Sequence, residues 1–231
     1  FEAFIKGARK PFPYRLRARS YNGEIRQVYD AYNFPPTLDS DDLYLIGKGD
    51  ERKIYDKLGS HVRTVGGIKG TSFAVWAPTA RRVSVVGDFN EWDGRYHQMR
   101  ELGQSGIWEI FVPSVGAGAK YKFEILAANN DAPFLKIDPY AIRFEAPPYN
   151  SSIVCDISGF EWSDSAWLEK RANTDWSKSP VSVYEVHLGS WKRVPEDGFR
   201  PLTYAEIGVQ LADYCSEMGF THVEFLPLSE Y

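Results

Sequence analysis

Residues 65–160 form a series of short apolar stretches separated by turn residues, and this pattern restricts the possible folds more than any other feature of the chain. Apolar and polar residues alternate at 121–125, and glycine-containing turns occur at 103–106 and 116–118. Short strands with such turns at regular intervals are typical of an antiparallel sandwich rather than a parallel sheet. We therefore predict a mainly β fold, with strands at 71–77, 82–88, 107–113, 119–126 and 152–156.

After Trp162 the pattern changes to that of a strand, a helix and a second strand. Thr203 and Glu206 have the spacing of a capping box, so a long helix is predicted to begin there. A strand, a helix and a strand with a short return form a βαβ unit of a parallel sheet. Two parallel strands bury neither face of their sheet, so we expect the chain to be part of a longer one. The predicted elements are a helix at 163–172, a strand at 181–187, a helix from 203 to 219 and a strand at 221–226.

The first residues predict a β-hairpin followed by a short helix. Extended runs flank Asn22-Gly23, a pair that favours a tight turn in which both central residues have positive φ. One hairpin buries no core by itself, so this region needs partner strands. Further on, residues 51–58 place apolar side chains on one face of a helix, with Gly59 as its C-terminal cap.

The charge and the scarce residue types exclude several functions. The net charge is −4 with both signs interspersed, unlike the basic stripe of a nucleic-acid-binding protein. No apolar run is long enough to cross a bilayer and no signal peptide is recognisable, so no membrane partner is expected. The four histidines lack metal-ligand spacing, and neither a metal nor a cofactor is expected. Cys155 and Cys215 can pair in an oxidising compartment, but two free thiols in a cytoplasmic protein are the preferred interpretation.

Six motifs, in this order, resemble the bacterial 1,4-α-glucan (glycogen) branching enzymes of the α-amylase clan. The first four are similar to the glycogen-binding module found beside the catalytic barrels of this clan, and the last two look like the first and second barrel strands of the branching enzymes. The motifs are FAVWAP at 73–78, VSVVGDFNEWD at 83–93, YKFE at 121–124, KIDPYA at 136–141, VYEVHLGSWKR at 183–193 and GFTHVEFLP at 219–227.

The resemblance implies an immunoglobulin-like β-sandwich of the glycogen-binding type, with a partial β-domain before it and the first βαβ unit of a TIM (β/α)8 barrel after it. The implied segments are 1–37, the C-terminal part of an N-terminal β-sandwich domain; 38–64, a linker with a short helix; 65–160, the carbohydrate-binding module; 161–180, a linker with a helix; and 181–231, the start of the catalytic barrel.

The resemblance also implies an activity, which is cleavage of α-1,4-glucan chains and their transfer to form α-1,6 branches in glycogen. Such a glycosyltransferase acts by retaining glycoside-hydrolase chemistry, with a carboxylate nucleophile and a carboxylic acid/base. In this clan both groups follow later barrel strands, so no catalytic residue is assigned here and the chain alone is expected to be inactive. Glu185 and Glu224 lie within predicted strands, and Glu230 is better placed but lacks a partner. The alternatives are a debranching or trehalose-forming hydrolase of the same clan, disfavoured by the segment 187–191, and a non-catalytic glycogen-binding protein.

The expected partner is an α-glucan, either glycogen or a maltooligosaccharide. By resemblance, Trp92 matches a tryptophan that stacks on sugar rings and Lys122 matches a lysine that contacts them. Trp92 would also suit packing at the sandwich edge, and Lys122 would suit a solvated strand position. Two departures from the family pattern leave open a purely structural role for the module. Where the family has a second tryptophan, this chain offers only Phe134. Ser152 occupies the position of an expected asparagine, and Asn150 lies nearby in the sequence.

The remaining tryptophans are assigned to packing. Trp76 and Trp108 lie in predicted strands and are expected in the sandwich core. Packing between domains is expected for Trp162, Trp167, Trp176 and Trp191.

Overall fold

The computed structural model describes residues 6–7, 12 and 14–228 of the chain. It divides into two compact units, Phe1–Phe160 and Glu161–Tyr231. Along the described residues no helix is long and apolar enough to span a membrane. Within the same residues no group of three or more His, Cys, Asp or Glu side chains is placed to hold a metal ion. Cys155 and Cys215 are free thiols, and only Cys215 is fully buried.

The hairpin predicted at the start of the first unit is present. Its strands β1 (Leu16–Arg19) and β2 (Ile25–Val28) pair in antiparallel register. The turn differs from the tight type expected, because Gly23 has a positive φ of 86° whereas Asn22 does not. Gly23 N–H donates to the Ser20 carbonyl at 2.9 Å, which gives a longer turn with glycine alone in the left-handed region.

The helix expected at 51–58 lies elsewhere. The connector instead contains α1 (Ser40–Lys48), which begins with a capping box between Asp39 and Asp42 and ends at Gly49, whose φ is 75°. Residues Ile54–Asp56 form only one turn of 3-10 helix. The capping residues decide between the two segments, because Lys53 offers no side-chain cap at the second site.

The remaining strands of this unit form the predicted antiparallel sandwich. The strands are β3 (Gly59–Val65), β4 (Ile68–Trp76), β5 (Ala80–Gly87), β6 (Arg100–Glu101), β7 (Ile107–Pro113), β8 (Lys120–Ala127), β9 (Phe134–Lys136), β10 (Arg143–Phe144) and β11 (Ser152–Ile153). One sheet has the order β3-β4-β7-β6, and the other has the order β10-β11-β8-β5 with β9 paired to β8. Strand β3 begins six residues before residue 65, the start expected for the module.

The inner faces of the two sheets enclose the main core. Alternate residues of β4 and β7 face alternate residues of β5 and β8, as the period of two requires. Trp108 belongs to this core, and its indole N–H donates to the Ala77 carbonyl at 3.1 Å. The same prediction is wrong for Trp76, which is 60% exposed. Phe73 and Val75 point inward from β4, so Trp76 falls on the outer face of its sheet.

The connector covers the outer face of the sheet that contains β4 and β7. The rings of Phe34 and Phe111 lie 4.8 Å apart, and Thr37 donates to the buried Glu109 carboxylate from both its N–H and its hydroxyl, at 3.2 and 3.1 Å. A second apolar cluster, formed by Leu38, Leu58, Ala74, Leu102 and Ile107, lies beneath α1. On the outer face of the opposite sheet, Lys122 and Glu124 of β8 are partly exposed, whereas Ser84 and Val86 of β5 are fully buried.

The second unit contains the predicted βαβ arrangement. Its β12 (Val183–Val186) pairs in parallel with β15 (His222–Phe225), and its long helix begins with the capping box of Thr203 and Glu206. Ile207, Leu211 and Cys215 of the helix form a buried apolar cluster with Val186 of β12. The other elements are α2 (Ser165–Ala172), α3 (Leu188–Trp191), β13 (Arg193–Val194), β14 (Arg200–Pro201) and α4 (Tyr204–Met218).

Candidate functional site

Trp92 lies in a sharply turned segment that follows β5. One turn of 3-10 helix, Asp88–Asn90, is followed by Glu91 and Trp92 with φ values of 56° and 61°. Left-handed backbone costs non-glycine residues about 1–2 kcal/mol each, so surrounding contacts must hold it. Within this segment Trp92 is 38% exposed, so part of its indole reaches solvent.

The buried Asn90 side chain holds this turn. Its amide donates to the Val85 carbonyl at 2.9 Å and to His97 Nδ1 at 2.9 Å, and its oxygen accepts from Gly87 N–H at 2.8 Å. Burial lowers the pKa of His97, which keeps the imidazole neutral and Nδ1 available as the acceptor. Asn90 thereby fixes the direction in which Trp92 leaves the sandwich.

The turn is packed closely against β8. A Cβ atom at Gly87 would lie 2.2 Å from the Lys120 carbonyl oxygen, so only glycine allows this approach. Asp88 accepts a hydrogen bond from Lys120 N–H at 3.3 Å. The segment that carries Trp92 is thus fixed to the beginning of β8.

Lys122 lies on the outer face of the same strand. Its neighbours Tyr121 and Phe123 point into the core, so the Lys122 side chain projects on the opposite face. Its ammonium donates to Asn150 Oδ1, with 2.6 Å between the two atoms. Asn150 was only a neighbour of the expected position in the sequence, and the structure brings it to Lys122.

Ser152 has a structural place instead. It is fully buried, and its hydroxyl accepts from Asp138 N–H at 2.9 Å. Phe134 pairs with Ile125, whose side chain packs against the core, so the inner side of β9 carries this ring. The adjacent outer position is taken by Leu135, opposite Glu124. Strand β9 therefore supplies no aromatic side chain to the outer face.

The Trp92 segment and Lys122 share one face of the sandwich. A Cβ atom at Gly94 would lie 2.2 Å from Glu124 Oε1, so the segment packs against the Glu124 side chain. Glu124 follows Lys122 by two residues and projects from the same face. The structure thus brings the two sequence-derived residues, Trp92 and Lys122, to one surface and adds Asn150.

Two carboxylates near this surface are paired with cations, whereas the Lys122 ammonium bonds to a neutral amide. Lys120 Nζ lies 2.6 Å from a Glu145 oxygen, and this hydrogen bond lowers the pKa of Glu145. Hydrogen bonds from Arg95 lower the pKa of Asp93 to about 2. Both carboxyl groups are therefore ionised at neutral pH and matched by a cation. An aromatic ring beside oriented hydrogen-bonding groups suits an uncharged polyhydroxyl ligand.

The second unit offers no assigned catalytic pair. Glu185 and Glu224 face each other in the register of the parallel strands β12 and β15, within the strands rather than on the segments that follow them. Glu230 lies outside the residues that the structure describes.

Comparison with protein families and curated relatives finds a matching family model and many matching relatives. Residues 57–141 match carbohydrate-binding module 48 (isoamylase N-terminal domain). The chain is 50% identical to the 1,4-alpha-glucan branching enzyme GlgB of Myxococcus xanthus over 100% of the chain and 32% of the relative. It is 49% identical to GlgB of Paramagnetospirillum magneticum over 94% of the chain and 30% of the relative. The chain thus spans about a third of the length of the curated relatives it matches.

Solved structures agree on the fold. The "Putative alpha Amylase" of Salmonella typhimurium superposes with a TM-score of 0.53 at 20% identity, over 75% of this chain and 25% of that one. Pullulanase of Bacillus acidopullulyticus gives a TM-score of 0.50 at 20% identity, over 75% of this chain and 22% of that one. At this identity the likeness concerns the fold alone.

Proposed function

Because the chain is homologous along its whole length to the 1,4-alpha-glucan branching enzymes, of which it spans about a third, we propose that its β-sandwich binds α-1,4-glucan chains for such an enzyme. The binding surface consists of the outer face of β8 and the Trp92 segment that borders it. Trp92 is proposed as the aromatic platform, and Lys122 as the donor to sugar hydroxyl groups.

One observation carries this proposal: a partly exposed tryptophan held in left-handed backbone lies on the same face as a lysine–asparagine pair. A glucose ring presents an apolar face, which stacks on an indole, and an edge of hydroxyl groups, which pair with charged and amide groups. The left-handed backbone at Glu91 and Trp92 favours a binding role, because such geometry is retained where surrounding contacts impose it.

For the whole protein we propose the branching reaction. An α-1,4-glucan chain is cleaved, held as a covalent glycosyl-enzyme and transferred to a 6-hydroxyl group, with retention at the anomeric carbon. The parallel strands β12 and β15 are proposed as the first two strands of the barrel that performs it. Barrel chemistry lies at the C-terminal ends of such strands. The role of the sandwich is to retain the polymeric substrate near that site. The domain limits given above and a cytoplasmic location stay predictions.

The test is binding of the purified chain to glycogen by affinity electrophoresis and to β-cyclodextrin by calorimetry. Trp92→Ala is expected to weaken binding about 30-fold, because truncation of a stacked tryptophan typically costs 2 kcal/mol or more. Lys122→Met should weaken it about fivefold, since one partly exposed hydrogen bond to a charged group is lost.

Tyr44→Ala is the matched control. Tyr44 is 60% exposed on α1, which covers the other sheet, so its removal should leave glucan binding unchanged. Equal affinities of the wild-type chain and the Trp92→Ala variant, with both folded by circular dichroism, would rule out this surface as the glucan site.

A further inference from the structure

A second loop borders the proposed glucan surface. It joins β10 to β11 and is closed by two hydrogen bonds between Glu145 and Ser151, from Glu145 N–H to the Ser151 carbonyl at 2.9 Å and from Ser151 N–H to Glu145 Oε2 at 3.2 Å. Tyr149 N–H donates to the Ala146 carbonyl at 3.2 Å, which tightens the tip. The loop is therefore internally bonded.

The side chain of Tyr149 is 69% exposed at this tip. It immediately precedes Asn150, the residue that accepts from Lys122. An aromatic ring so exposed adds little to the core, and an ordered loop that carries one is well suited to contact a ligand.

The two loops flank the first residues of β8 from opposite sides. The Trp92 segment is fixed to Lys120 by Asp88 and packs with Gly87 against the same backbone. On the other side Glu145 binds Lys120 Nζ, and Asn150 binds Lys122 Nζ.

Tyr149 also interacts electrostatically with Lys120. The pKa of Lys120 is raised chiefly by its hydrogen bond to Glu145, and Asp88 and Tyr149 contribute further. Lys120 and Lys122 project from one face of the strand, since they are two residues apart. Tyr149 therefore borders the same surface as Trp92, across the two lysines.

We propose that Tyr149 is the second aromatic platform of the glucan site and works together with Trp92 on one curved α-1,4-linked chain. This inference rests on the function proposed above. An α-1,4-linked chain curves, so successive glucose units present their apolar faces in different directions, and two rings on separate loops can each stack on one unit. The ligand would then be an oligosaccharide of several units rather than a single sugar.

The experiment compares Tyr149→Ala, Tyr149→Phe and Trp92→Ala in the chain, with Tyr44→Ala as the control. Affinities for maltoheptaose and for maltose are measured by calorimetry. Tyr149→Ala should weaken maltoheptaose binding about tenfold, whereas Tyr149→Phe should stay within about twofold because stacking needs only the ring. Maltose is too short to reach both rings, so the affinity for maltose should fall far less in Tyr149→Ala.

Each other outcome has one meaning. If Trp92→Ala loses binding while Tyr149→Ala retains it, the second platform is overturned and the glucan site stands. A loss in Tyr149→Phe equal to that in Tyr149→Ala overturns the stacking role. No binding by the wild-type chain, or equal binding by Trp92→Ala, overturns both the platform and the glucan site.

Discussion

Replacement of Asp138 by alanine is expected to lower the free energy of unfolding of the first unit by about 3 kcal/mol, one of the two largest effects that the structure implies. Asp138 is fully buried and accepts two hydrogen bonds, from the Tyr121 hydroxyl at 2.5 Å and from Tyr140 N–H at 2.8 Å. Its removal leaves a buried donor on Tyr121 and a part-buried donor on Tyr140 unpaired, at a cost of about 1–3 kcal/mol for a buried donor. Relief of the burial that raises the pKa of Asp138 offsets part of this cost.

The measurement is urea unfolding followed by circular dichroism, with the change read from the transition midpoint at constant slope. Asp156→Ala is the matched control, because Asp156 lies on the surface and its hydrogen bonds go to Ser158, two residues further along the chain. A loss below 1 kcal/mol in Asp138→Ala would show that Tyr121 and Tyr140 find other partners. The hydrogen bond from the backbone N–H of residue 138 to Ser152, which the variant keeps, would then be the contact that stabilises this segment.

Glu109→Ala is expected to cost about 3 kcal/mol as well. The carboxylate is fully buried, receives both hydrogen bonds from Thr37, and lies 3.6 Å from Arg100 Nε. Removal leaves Thr37 N–H and its hydroxyl without their acceptor in a covered part of the sandwich, at about 1–3 kcal/mol for each donor. Thermal or urea unfolding of the variant measures this effect.

The same residue gives stability a pH dependence of known sign. Burial raises the pKa of Glu109 above its ordinary value of 4.5, although Arg100 and Thr37 act in the other direction. The folded state therefore holds this proton more tightly than the unfolded state, and stability falls as pH rises above about 4.5. Glu109→Gln keeps an oxygen acceptor and has no proton to lose. Its stability relative to the wild-type chain should therefore rise between pH 4.5 and pH 7.

Glu101→Gln serves as the control for this comparison, because Glu101 is exposed on β6 and belongs to the same sheet. A difference between Glu109→Gln and the wild-type chain that stays constant over this pH range would contradict the raised pKa. The Arg100 guanidinium would then dominate over burial at Glu109.

Alternation of apolar and polar residues was sufficient to predict the sandwich and the parallel pair. The strand 107–113 was placed correctly, and those at 82–88 and 119–126 differ only at their ends. One face of such a strand packs on a core, so every second residue is apolar and the strand can be recognised in the sequence. The capping box of Thr203 and Glu206 marked α4 for the same local reason.

Features that depend on distant contacts were not predictable. Alternation separates the residues of a strand into two faces but does not say which face is buried. For this reason the exposure of Trp76 could not be predicted. The first helix begins at a capping box between Asp39 and Asp42. It was missed because the apolar pattern of 51–58 indicated a helix there instead. Asn150 reaches Lys122 because β11 pairs with β8, a pairing that joins residues far apart in sequence. The candidate site was therefore predicted in two of its members, and its third came from topology.

The most direct test of the glucan site is a titration of the ¹⁵N-labelled chain with maltoheptaose, followed by the backbone amide chemical shifts. We expect the largest shifts in three segments, 87–96, 120–124 and 145–151, and none in α1 on the opposite sheet. Shifts confined to other parts of the chain, or no shifts at millimolar maltoheptaose, would contradict a glucan site built from Trp92, Lys122 and Asn150.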